Sequence, residues 1–587
     1  MKKTIRVLSL LLAICVALSC AACGAKSPDP TGQTEGTATA PTELSMRGDE
    51  FGNGATGKNA AVSSFSDITS QVGIDILEAG GNAVDAAVAT IFAVGVCEPH
   101  HSGIGGSGLM TIYLADTDSF TTIEYMEAVP LATYDGYYTS EDKSKPVAAA
   151  VPGQVDGLLY ALEKYGTMTP AQVLAPAIKL AKEGFVLDSV VSGAIADSYN
   201  IFMEDGYEYL RKLFTDEGIP YSAGDLFVNE DLAYTLQQIA DHGRDGFYAG
   251  DVAQKLVEGL NAAGNCISLD DLAAYHCKER APVSTQYYGY DVVCCSYPTA
   301  GGIWELESLN IMEALDIKSH EQGSLEYWKI FNEAVRIGAL DSYTYFGDQD
   351  RYQLPTDTLT SQEYANERAK MFDMNGCIMN VPKSDLGDAI EIGEVGTTDT
   401  GTATTHIAAV DKSGNIVSST NTVGYSFGCL YAAEGLGFCL NNHMLNSRGV
   451  APGSHLKSSM SPTIVTKDGK PVMAVGSPGS RVIPPAIMSV INNTLLYDMT
   501  VQEAINAPRC FILDYSGNKP LTTLTAETER LDSALIRQLE LFGYSFEEGI
   551  GKYNQKLGGI AAIYLDPNDG IIYAGGDHRR DYKALAY

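Results

Sequence analysis

The 587-residue sequence predicts an α+β fold, in which helices pack around antiparallel sheets. Helical periodicity over Asp67–Ala79 is the first observation behind this prediction. The second is a pair of strands near Leu109–Ala115 and Thr121–Glu127, which a short turn joins. The third is a hairpin late in the chain, formed by Thr404–Val410 and Ile416–Thr422. Two predicted hairpins beside amphipathic helices indicate a layered domain.

The other predicted elements are placed by capping residues and breaks in periodicity. Asn82 should cap a second helix that runs from Ala83 to about Val94. Capping boxes at Thr169–Gln172 and Thr500–Glu503 should start two more helices. Further elements are expected as helices over Val155–Tyr165, Ser324–Gly347 and Pro484–Leu496, and as strands near Gly437–Leu440 and Val472–Gly476.

The composition is that of a large globular protein with a strongly acidic surface. Hydrophobic residues make up 45% of the chain, and 73 acidic residues against 39 basic ones give a net charge of −34. Such a charge argues against nucleic acid as a partner and against electrostatic binding to anionic lipid. It does not constrain the substrate, because a local pocket can carry the opposite sign.

The N-terminus is interpreted as a targeting segment. A basic head precedes the apolar run Val7–Leu18, which is too short to span a bilayer comfortably. Small residues then precede Cys23, so residues 1–23 are predicted to be a lipoprotein signal peptide with Cys23 as the acylated residue. Cys20 is the weaker candidate, and an ordinary signal peptide is the alternative. Residues 24–50 are predicted to be a flexible tether that places the protein outside the cytoplasm, membrane-attached only by lipid or secreted.

Nine cysteines remain after this leader, an odd number without CxxC spacing. That pattern predicts neither a zinc site nor a complete disulfide framework, and most of these thiols are expected to be buried small apolar residues. Adjacent His100 and His101 beside Glu98 are interpreted as a hydrogen-bonded structural group, so no metal or cofactor is expected. The glycine-rich Gly103–Gly108 segment follows a helix and precedes a strand, which is the wrong context for dinucleotide binding. It predicts a tight bend or a close approach of two backbones.

Candidate catalytic chemistry centres on Thr404-Thr405-His406. A threonine hydroxyl needs an adjacent base to act as a nucleophile. A chain break just before Thr404 would supply one, because the new α-amine has a pKa of roughly 7.7–8. By themselves these residues are typical of any β-strand. The turn Gly476–Arg481 is placed between a strand and a helix, where it could form an oxyanion hole or be an ordinary turn.

Taken together, these segments resemble the γ-glutamyltranspeptidase family of N-terminal nucleophile hydrolases. The resemblance covers nearly the whole chain after the tether and rests on an ordered series of motifs. They are Gly80–Ala87, Glu98–His100 with Gly103–Gly108, Val151–Gly153, Lys164–Thr167, Phe247-Tyr248 with Gly250, Thr404–His406, Leu440–Asn442, Ser458–Thr463 and Ala504–Arg509.

The resemblance implies a four-layer αββα sandwich formed jointly by two autoproteolytic subunits. Cleavage would separate Ala403 from Thr404, giving a large subunit over 51–403 and a small catalytic subunit over 404–587. Thr404 would then attack an amide carbonyl with its own α-amine as base, and Thr422 matches the threonine that bonds near the nucleophile.

Four further residues take their roles from the same resemblance. Gly479 matches an oxyanion-hole glycine, and Ser480 would supply the second N–H group because only one glycine is present. Ser458 and Ser459 match the pair that helps to hold the substrate carboxylate.

Several predicted substrate-binding positions depart from the family pattern. Met126 replaces the arginine that clamps the α-carboxylate of the glutamyl group, and Asn446 replaces the aspartate that holds its α-ammonium. His443 stands where Gln or Glu is usual, and Gly424 where Asn is common. Acyl chemistry is therefore expected to be retained with an altered donor.

Three hypotheses follow from this comparison. The first is an extracytoplasmic γ-glutamyl hydrolase or transpeptidase that acts on glutathione or similar amides, with water or an amine as acceptor. The second is a related amidohydrolase or acylase with a non-glutamyl or polymeric donor, which the short segment between Asn446 and Ser458 favours because it leaves the cleft open. The third is a lipoprotein that binds a ligand without catalysis.

Overall fold

The computed structural model describes residues 46–378, 381–382, 384–387, 403–513 and 522–587. The predicted signal peptide, the acylated Cys23 and the tether up to residue 45 lie outside these described residues. Among the described residues, no helix combines the length and the hydropathy that crossing a bilayer requires.

Most strands belong to two seven-stranded sheets. In chain order the strands of the described residues are β1 (Ala55–Gly57), β2 (Ala61–Ser64), β3 (Ser107–Leu114), β4 (Ser119–Tyr125), β5 (Phe185–Val186), β6 (Thr215–Asp216), β7 (Ile219–Pro220), β8 (Leu226–Phe227), β9 (Lys278–Arg280), β10 (Val283–Tyr287), β11 (Tyr290–Cys294), β12 (Thr405–Val410), β13 (Ile416–Thr422), β14 (Thr463–Lys467), β15 (Lys470–Gly476), β16 (Cys510–Ile512), β17 (Thr523–Ala526), β18 (Ser545–Phe546), β19 (Ala561–Leu565), β20 (Ile572–Gly576) and β21 (Lys583–Ala586).

The first sheet has the order β1-β20-β19-β15-β14-β11-β10, and the second has the order β21-β2-β12-β13-β3-β4-β9. Every neighbouring pair in the two sheets is antiparallel, as the sequence predicted. The remaining short strands form one three-stranded and two two-stranded sheets in the described part of the chain.

The helices of the described residues are α1 (Asp67–Glu78), α2 (Ala83–Cys97), α3 (Gln154–Tyr165), α4 (Pro170–Glu183), α5 (Ser189–Phe202), α6 (Glu208–Phe214), α7 (Glu230–His242), α8 (Asp245–Tyr248), α9 (Gly250–Ala262), α10 (Leu269–Ala274), α11 (Gly301–Ala314), α12 (Leu325–Thr344), α13 (Thr356–Leu359), α14 (Gln362–Ala369), α15 (Ile483–Leu496), α16 (Val501–Asn506) and α17 (Ser533–Leu541).

Apolar side chains connect the two large sheets and join each sheet to helices. One buried cluster contains Val410 and Ile416 of the second sheet with Ile464 and Ile563 of the first. Helix α2 is buried along nearly its whole length and contacts β12 and β13 of the second sheet. Helix α11 contacts β10 and β11 of the first sheet. The β12–β13 hairpin is therefore held on both faces by apolar burial, which fixes its position.

Most local predictions are confirmed. Helix α1 ends at Glu78, and the side chain of Asn82 caps α2, which continues to Cys97 instead of ending near Val94. The capping boxes at Thr169 and Thr500 both form. The predicted strands near 109–115, 121–127 and 472–476, the late hairpin, and the helices over 155–165, 324–347 and 484–496 occur with shifts of a few residues at their ends.

One predicted strand is wrong, and sixteen of the 21 strands in the described residues were not predicted. Gly437–Leu440 is not a strand, because Gly437 adopts a positive φ of 75° and Leu440 donates its N–H locally to Tyr431. Strands β9, β10 and β11 were not predicted. In β10 exposed and buried positions alternate, which is the pattern of a half-buried strand. All nine cysteines of the described residues are free, and six of them are buried, in agreement with the prediction.

Candidate active site

The register of the β12–β13 hairpin places Thr404 beside Thr422. Thr405 pairs with Asn421, so the residue before β12 and the last residue of β13 meet at the same end of the hairpin. A cleft of about 90 Å³ opens at this end. The predicted site residues that line it are Ala403, Thr404, Thr422, Gly424, His443, Asn446, Ser458, Ser459 and Ser480.

A short chain of hydroxyl contacts surrounds the Ala403–Thr404 peptide bond. Thr404 donates its hydroxyl proton to Thr422 Oγ1 across 3.1 Å. Thr422 in turn donates to the carbonyl oxygen of Ala403 at 2.9 Å, and the Thr404 hydroxyl oxygen also contacts that carbonyl oxygen. The backbone N–H of Gly424 donates to Thr422 Oγ1 at 2.9 Å, which fixes the position of this hydroxyl. The predicted nucleophile therefore lies against a carbonyl that a second hydroxyl polarises.

The glycine-rich segment holds Thr422 in place from behind. A Cβ atom added to Gly106 would lie 2.0 Å from the carbonyl oxygen of Thr422, and one added to Gly105 would lie 2.2 Å from that of Cys439. A side chain at Gly106 would displace the end of β13 from Thr404, and one at Gly105 would displace the segment around Cys439. The predicted close approach of two backbones is confirmed.

The loop after β13 is tied to the cleft through Asn442. Gly424 has a φ of +96°, and a Cβ atom there would lie 2.0 Å from Asn442 Oδ1. The same Oδ1 accepts a hydrogen bond of 3.1 Å from the backbone of Tyr425. Because the N–H of Gly424 also donates to Thr422, this turn connects the Thr404–Thr422 hydroxyl pair to Asn442 beside the cleft.

The predicted oxyanion turn has the expected strand–turn–helix context. Strand β15 ends at Gly476, and α15 starts at Ile483. Gly479 and Ser480 both adopt positive φ values, of 124° and 56°, so each occupies the left-handed region. Within the described residues, their backbone N–H groups donate no hydrogen bond. Ser480 is among the residues that line the cleft, and its neighbour Gly479 is packed so closely that a Cβ atom there would be 2.3 Å from Val482.

Met126 does not line the cleft in the described structure. Its side chain is fully buried in an apolar cluster that includes Leu109 and Met460, and its sulfur lies 3.9 Å from the Ser107 hydroxyl. The predicted substrate-binding position Met126 is therefore filled by apolar packing and is not part of the cleft lining. Asn446 lines the cleft, but its side-chain amide donates to the carbonyl oxygen of Lys457 at 3.0 Å.

The cleft carries two cationic side chains that the sequence analysis did not single out, Lys457 and Arg481. Burial lowers the pKa of Lys457 to about 8. His443 also lines the cleft, with Nδ1 at 2.7 Å from Oε2 of the fully buried Glu127. Lys457 directly precedes the predicted Ser458–Ser459 pair. This adjacency to a predicted substrate-binding motif is the sequence signal that could have identified Lys457 as a site residue.

The Glu98, His100 and His101 group lies outside the cleft lining and is completely buried. Its ring nitrogens and carboxylate oxygen lie within 4.8 Å of one another, and His101 Nδ1 pairs with the Glu98 carboxylate. The centroids of the two imidazole rings are 3.7 Å apart, with the rings tilted by 35°. Burial, then neighbouring positive charge, lowers the pKa of both histidines, that of His100 to about 3. Neutral rings packed in this way fit the predicted structural group.

Comparison with known proteins adds to this geometry. A sequence model of the family described as gamma-glutamyltranspeptidase matches residues 69–587. The glutathione hydrolase proenzyme of Pseudomonas sp. (strain A14) is 38% identical over 77% of this chain and 81% of its own. The acylase ACY 1 proenzyme of Pseudomonas sp. (strain SE83) is 32% identical over 91% of this chain and 94% of its own.

Solved structures show the same fold. The cephalosporin acylase from Bacillus halodurans superposes with a TM-score of 0.78 at 24% identity, covering 95% of this chain and 99% of its own. The Helicobacter pylori gamma-glutamyltranspeptidase is 34% identical, with a TM-score of 0.51, over 53% of this chain and 91% of its own. The mixed α/β architecture is thus that of N-terminal nucleophile hydrolases.

Proposed function

The chain belongs to the γ-glutamyltranspeptidase family, and from this premise we propose that it is a self-processing amidase with Thr404 as its nucleophile. The prediction of an enzyme of this family is confirmed by the named relatives. The observation that carries the proposal is the hydroxyl pair, in which Thr404 donates to Thr422 while Thr422 donates to the carbonyl oxygen of Ala403.

Self-cleavage would begin with attack of Thr404 Oγ1 on the carbonyl carbon of Ala403. The hydrogen bond from Thr422 to the carbonyl oxygen stabilises the negative charge that develops there. The C–N bond then breaks, the Thr404 nitrogen takes the proton, and an ester joins Ala403 to the Thr404 oxygen. Water hydrolyses this ester, releasing the Ala403 carboxylate and a free Thr404 α-amine.

The mature enzyme would use the same atoms on a substrate. The α-amine of Thr404 removes the hydroxyl proton as Oγ1 bonds to the amide carbon of the donor. The backbone N–H groups of Gly479 and Ser480 are the proposed donors to the oxyanion. Within the described residues neither N–H group donates a hydrogen bond to another backbone group, so both can donate to the substrate. The amide C–N bond breaks and the amine leaves with a proton, after which water or an acceptor amine releases the acyl group.

The test of this proposal is the state of the purified chain. We expect two polypeptides on a denaturing gel, with Thr404 at the N-terminus of the smaller one. Thr404→Ala should give one uncut polypeptide without amidase activity. Thr405→Ser is the matched control, because the adjacent hydroxyl contacts Tyr582 and not the scissile bond, so cleavage should be normal. Cleavage of Thr404→Ala at the same bond would exclude Thr404 as the nucleophile, and a stable single chain without activity would support the ligand-binding alternative.

The proposed two-subunit assembly follows from the same scission. The large subunit (51–403) would supply β1–β4 and β9–β11, and the small subunit (404–587) would supply β12–β15 and β19–β21, to sheets that both subunits share. We propose that the two sheets and the helices on them form the four-layer αββα sandwich. Because each sheet contains strands of one subunit paired with strands of the other, the subunits should remain associated after cleavage.

The proposed donor is a γ-glutamyl amide such as glutathione or a related amide, with altered recognition of the acyl group. Support for a larger or polymeric donor comes from a groove of about 880 Å³, which shares Tyr425 and Leu445 with the cleft and continues along Tyr134–Ser140 and Arg448. These candidates are separated by comparing the KM of γ-glutamyl anilide with the KM of amide donors whose acyl chains are progressively longer. A decrease in KM with donor length favours the polymeric alternative.

We also propose an extracytoplasmic location with lipid on Cys23, on the strength of the N-terminal sequence alone. Labelling of growing cells with a fatty-acid analogue tests it. The full chain should carry the label in the membrane fraction, and Cys23→Ala should lose it. Labelling that persists in Cys23→Ala would assign the lipid to another residue.

A further inference from the structure

Lys457 is a buried lysine that lines the cleft, and both its backbone and its ammonium are held by neighbouring groups. Its carbonyl oxygen accepts the hydrogen bond from Asn446, and the preceding Leu456 is fully buried. Only 5% of Lys457 is exposed, yet the residue lines the same cleft as Thr404. Its Nζ lies 5.3 Å from the centre of the Phe346 ring, which forms part of the same wall. The Lys457 ammonium is therefore held by protein groups and is largely shielded from water, unlike that of a surface lysine.

The hydrogen-bonding capacity of this ammonium is largely unused. Among the described residues, Nζ donates one hydrogen bond, of 3.1 Å, to the carbonyl oxygen of Arg448. Burial is the cause that lowers its pKa, and no carboxylate of the described chain offsets it. A buried cation without an anionic partner is unfavourable unless a ligand supplies the negative charge.

The signs of the groups around the cleft are unbalanced. Its described lining contains Lys457 and Arg481 but no aspartate or glutamate. Asp348 lies in a separate small cavity on the other side of Lys457, at 4.0 Å from Arg280. The buried Glu127 is directed to His443. A ligand carboxylate would therefore find the cation of Lys457 at this cleft, whereas a ligand ammonium would find no described carboxylate lining it.

We infer that Lys457 is the carboxylate-binding residue of the donor site, and that the cleft selects donors with a free carboxylate and no free ammonium beside it. This inference rests on the proposed amidase function. In this inference Lys457, the residue before Ser458, supplies the positive charge that the uncharged Met126 cannot supply. The neutral Asn446, whose amide bonds to Lys457, then orients the lysine instead of binding an ammonium.

Two classes of donor have this chemistry. One is the monoamide of a five-carbon dicarboxylic acid, in which the far carboxylate is free and an amino group is lacking. The other is a γ-linked glutamyl unit whose own amino group is acylated, as inside a polymer. In both, Thr404 Oγ1 bonds to the amide carbon, the C–N bond breaks, the leaving amine takes the proton, and the carboxylate stays unchanged on Lys457.

Three anilides of equal length test the inference: glutaryl, γ-glutamyl and pentanoyl p-nitroanilide. The processed wild type should prefer glutaryl to γ-glutamyl anilide by at least about tenfold in kcat/KM. Lys457→Met should lower kcat/KM for glutaryl anilide by about tenfold to a hundredfold, mainly through KM, and leave that for pentanoyl anilide within about threefold. Lys457→Arg should restore most of the loss. Lys179→Met, an exposed lysine of helix α4 that lines neither the cleft nor the groove, is the control and should leave the ratio unchanged.

Binding supplies a readout that does not depend on turnover. Glutarate should bind the wild type and lose affinity about tenfold or more in Lys457→Met, whereas glutaramide should bind both proteins alike. Equal glutarate affinity in the two proteins, or an equal loss of turnover for all three anilides, would overturn the role of Lys457. A wild type that prefers γ-glutamyl anilide would overturn the exclusion of the ammonium. Failure of the amidase proposal itself would appear differently, as a chain that is never cleaved before Thr404.

Discussion

Thr422 donates a hydrogen bond of 2.9 Å to the carbonyl oxygen of Ala403, the residue that immediately precedes the proposed nucleophile. The same hydroxyl oxygen accepts from Thr404 at 3.1 Å. One side chain therefore orients the attacking oxygen and polarises the carbonyl that it attacks. Because Gly106 allows the backbone of Thr422 to approach so closely, this relationship depends on a glycine more than three hundred residues away in sequence.

Thr422→Val should slow cleavage before Thr404 by about a hundredfold, because it removes a hydrogen bond to the developing oxyanion while conserving shape. Thr422→Ser should retain cleavage. The measurement is the fraction of uncut chain against time on denaturing gels. Thr420→Val is the control on the same strand, since Thr420 bonds to His406 and not to Ala403. Cleavage of Thr422→Val at the wild-type rate would show that the hydroxyl has no part in the scission.

The affinity for a carboxylate donor should depend on pH through Lys457. Burial lowers the pKa of this lysine to about 8, so the ammonium is charged below that pH and neutral above it. We expect the KM for glutaryl anilide to be constant from pH 6 to 7 and to rise above about pH 8. In the complex, the carboxylate raises the lysine pKa, which moves the corresponding change in kcat to higher pH.

Lys457→Arg should remove this rise, because arginine stays charged throughout the range. The KM for pentanoyl anilide should show no comparable change, and a rise of equal size for both donors would assign it to another group. The other titratable or charged side chains that line the two cavities beside Lys457 are Arg481, His443, Tyr343, Tyr425, Asp348, Arg351 and Tyr352.

Features set by nearby residues could be predicted from the sequence. The side chain of Asn82 caps α2, and the box at Thr500 starts α16, because each cap is formed within three residues of chain. The β12–β13 hairpin was predicted as two strands around a short turn, and its register places Thr404 beside Thr422. The central pair of the site was thus encoded locally.

The charge of the cleft could not be predicted in this way, because it depends on which distant segments meet. Met126 was singled out from its position in a motif, yet it is buried in an apolar cluster, while Lys457 beside a recognised motif lines the cleft. Gly437–Leu440 has the composition of a strand, but its backbone follows contacts with Tyr431 and helix α7. Tertiary burial decided each of these outcomes.

Stability should depend strongly on the buried charge network around Asp577. Its carboxylate accepts from Arg509 at 2.6 Å, from the backbone of Ile560 at 3.0 Å and from Arg579 at 3.2 Å. Burial alone would raise the pKa of Asp577, but Arg509 and Arg579 outweigh it and lower that pKa. Asp577→Asn leaves the buried Arg509 without its carboxylate partner and Arg579 with Glu527 alone, so we expect it to lower the free energy of unfolding by about 3–5 kcal/mol.

Urea unfolding of the uncut Thr404→Ala background provides the measurement for Asp577. Asp142→Asn, which breaks an exposed pair with Lys145, is the control and should cost about 0–1 kcal/mol. The lowered pKa also means that the contribution of Asp577 is complete above its unfolded pKa and is lost as pH falls through the folded value. A loss for Asp577→Asn no greater than that of the surface control would contradict the proposed role of the network.

Glu305 should make the free energy of unfolding fall as pH rises, which is the opposite of the pH dependence expected from Asp577. This buried side chain accepts hydrogen bonds from Ser461 at 2.5 Å and from Thr463 at 3.0 Å, beneath the motif that begins at Ser458. Burial raises its pKa to about 8, against the opposing effect of these hydrogen bonds. Between the unfolded pKa of about 4.5 and the folded value, the native state holds a proton that the unfolded state releases, so stability falls as pH rises.

Glu305→Gln keeps the shape and removes the titration. The free energy of unfolding of the variant, relative to that of the parent, should therefore rise by roughly 3 kcal/mol between pH 5 and pH 8. Urea unfolding of both proteins in the Thr404→Ala background at the two pH values measures this difference, with the exposed Glu78→Gln as the control. If Glu305→Gln shifted stability equally at both pH values, the carboxyl would titrate alike in the folded and unfolded chains, and burial beneath the Ser458 motif would not govern its proton.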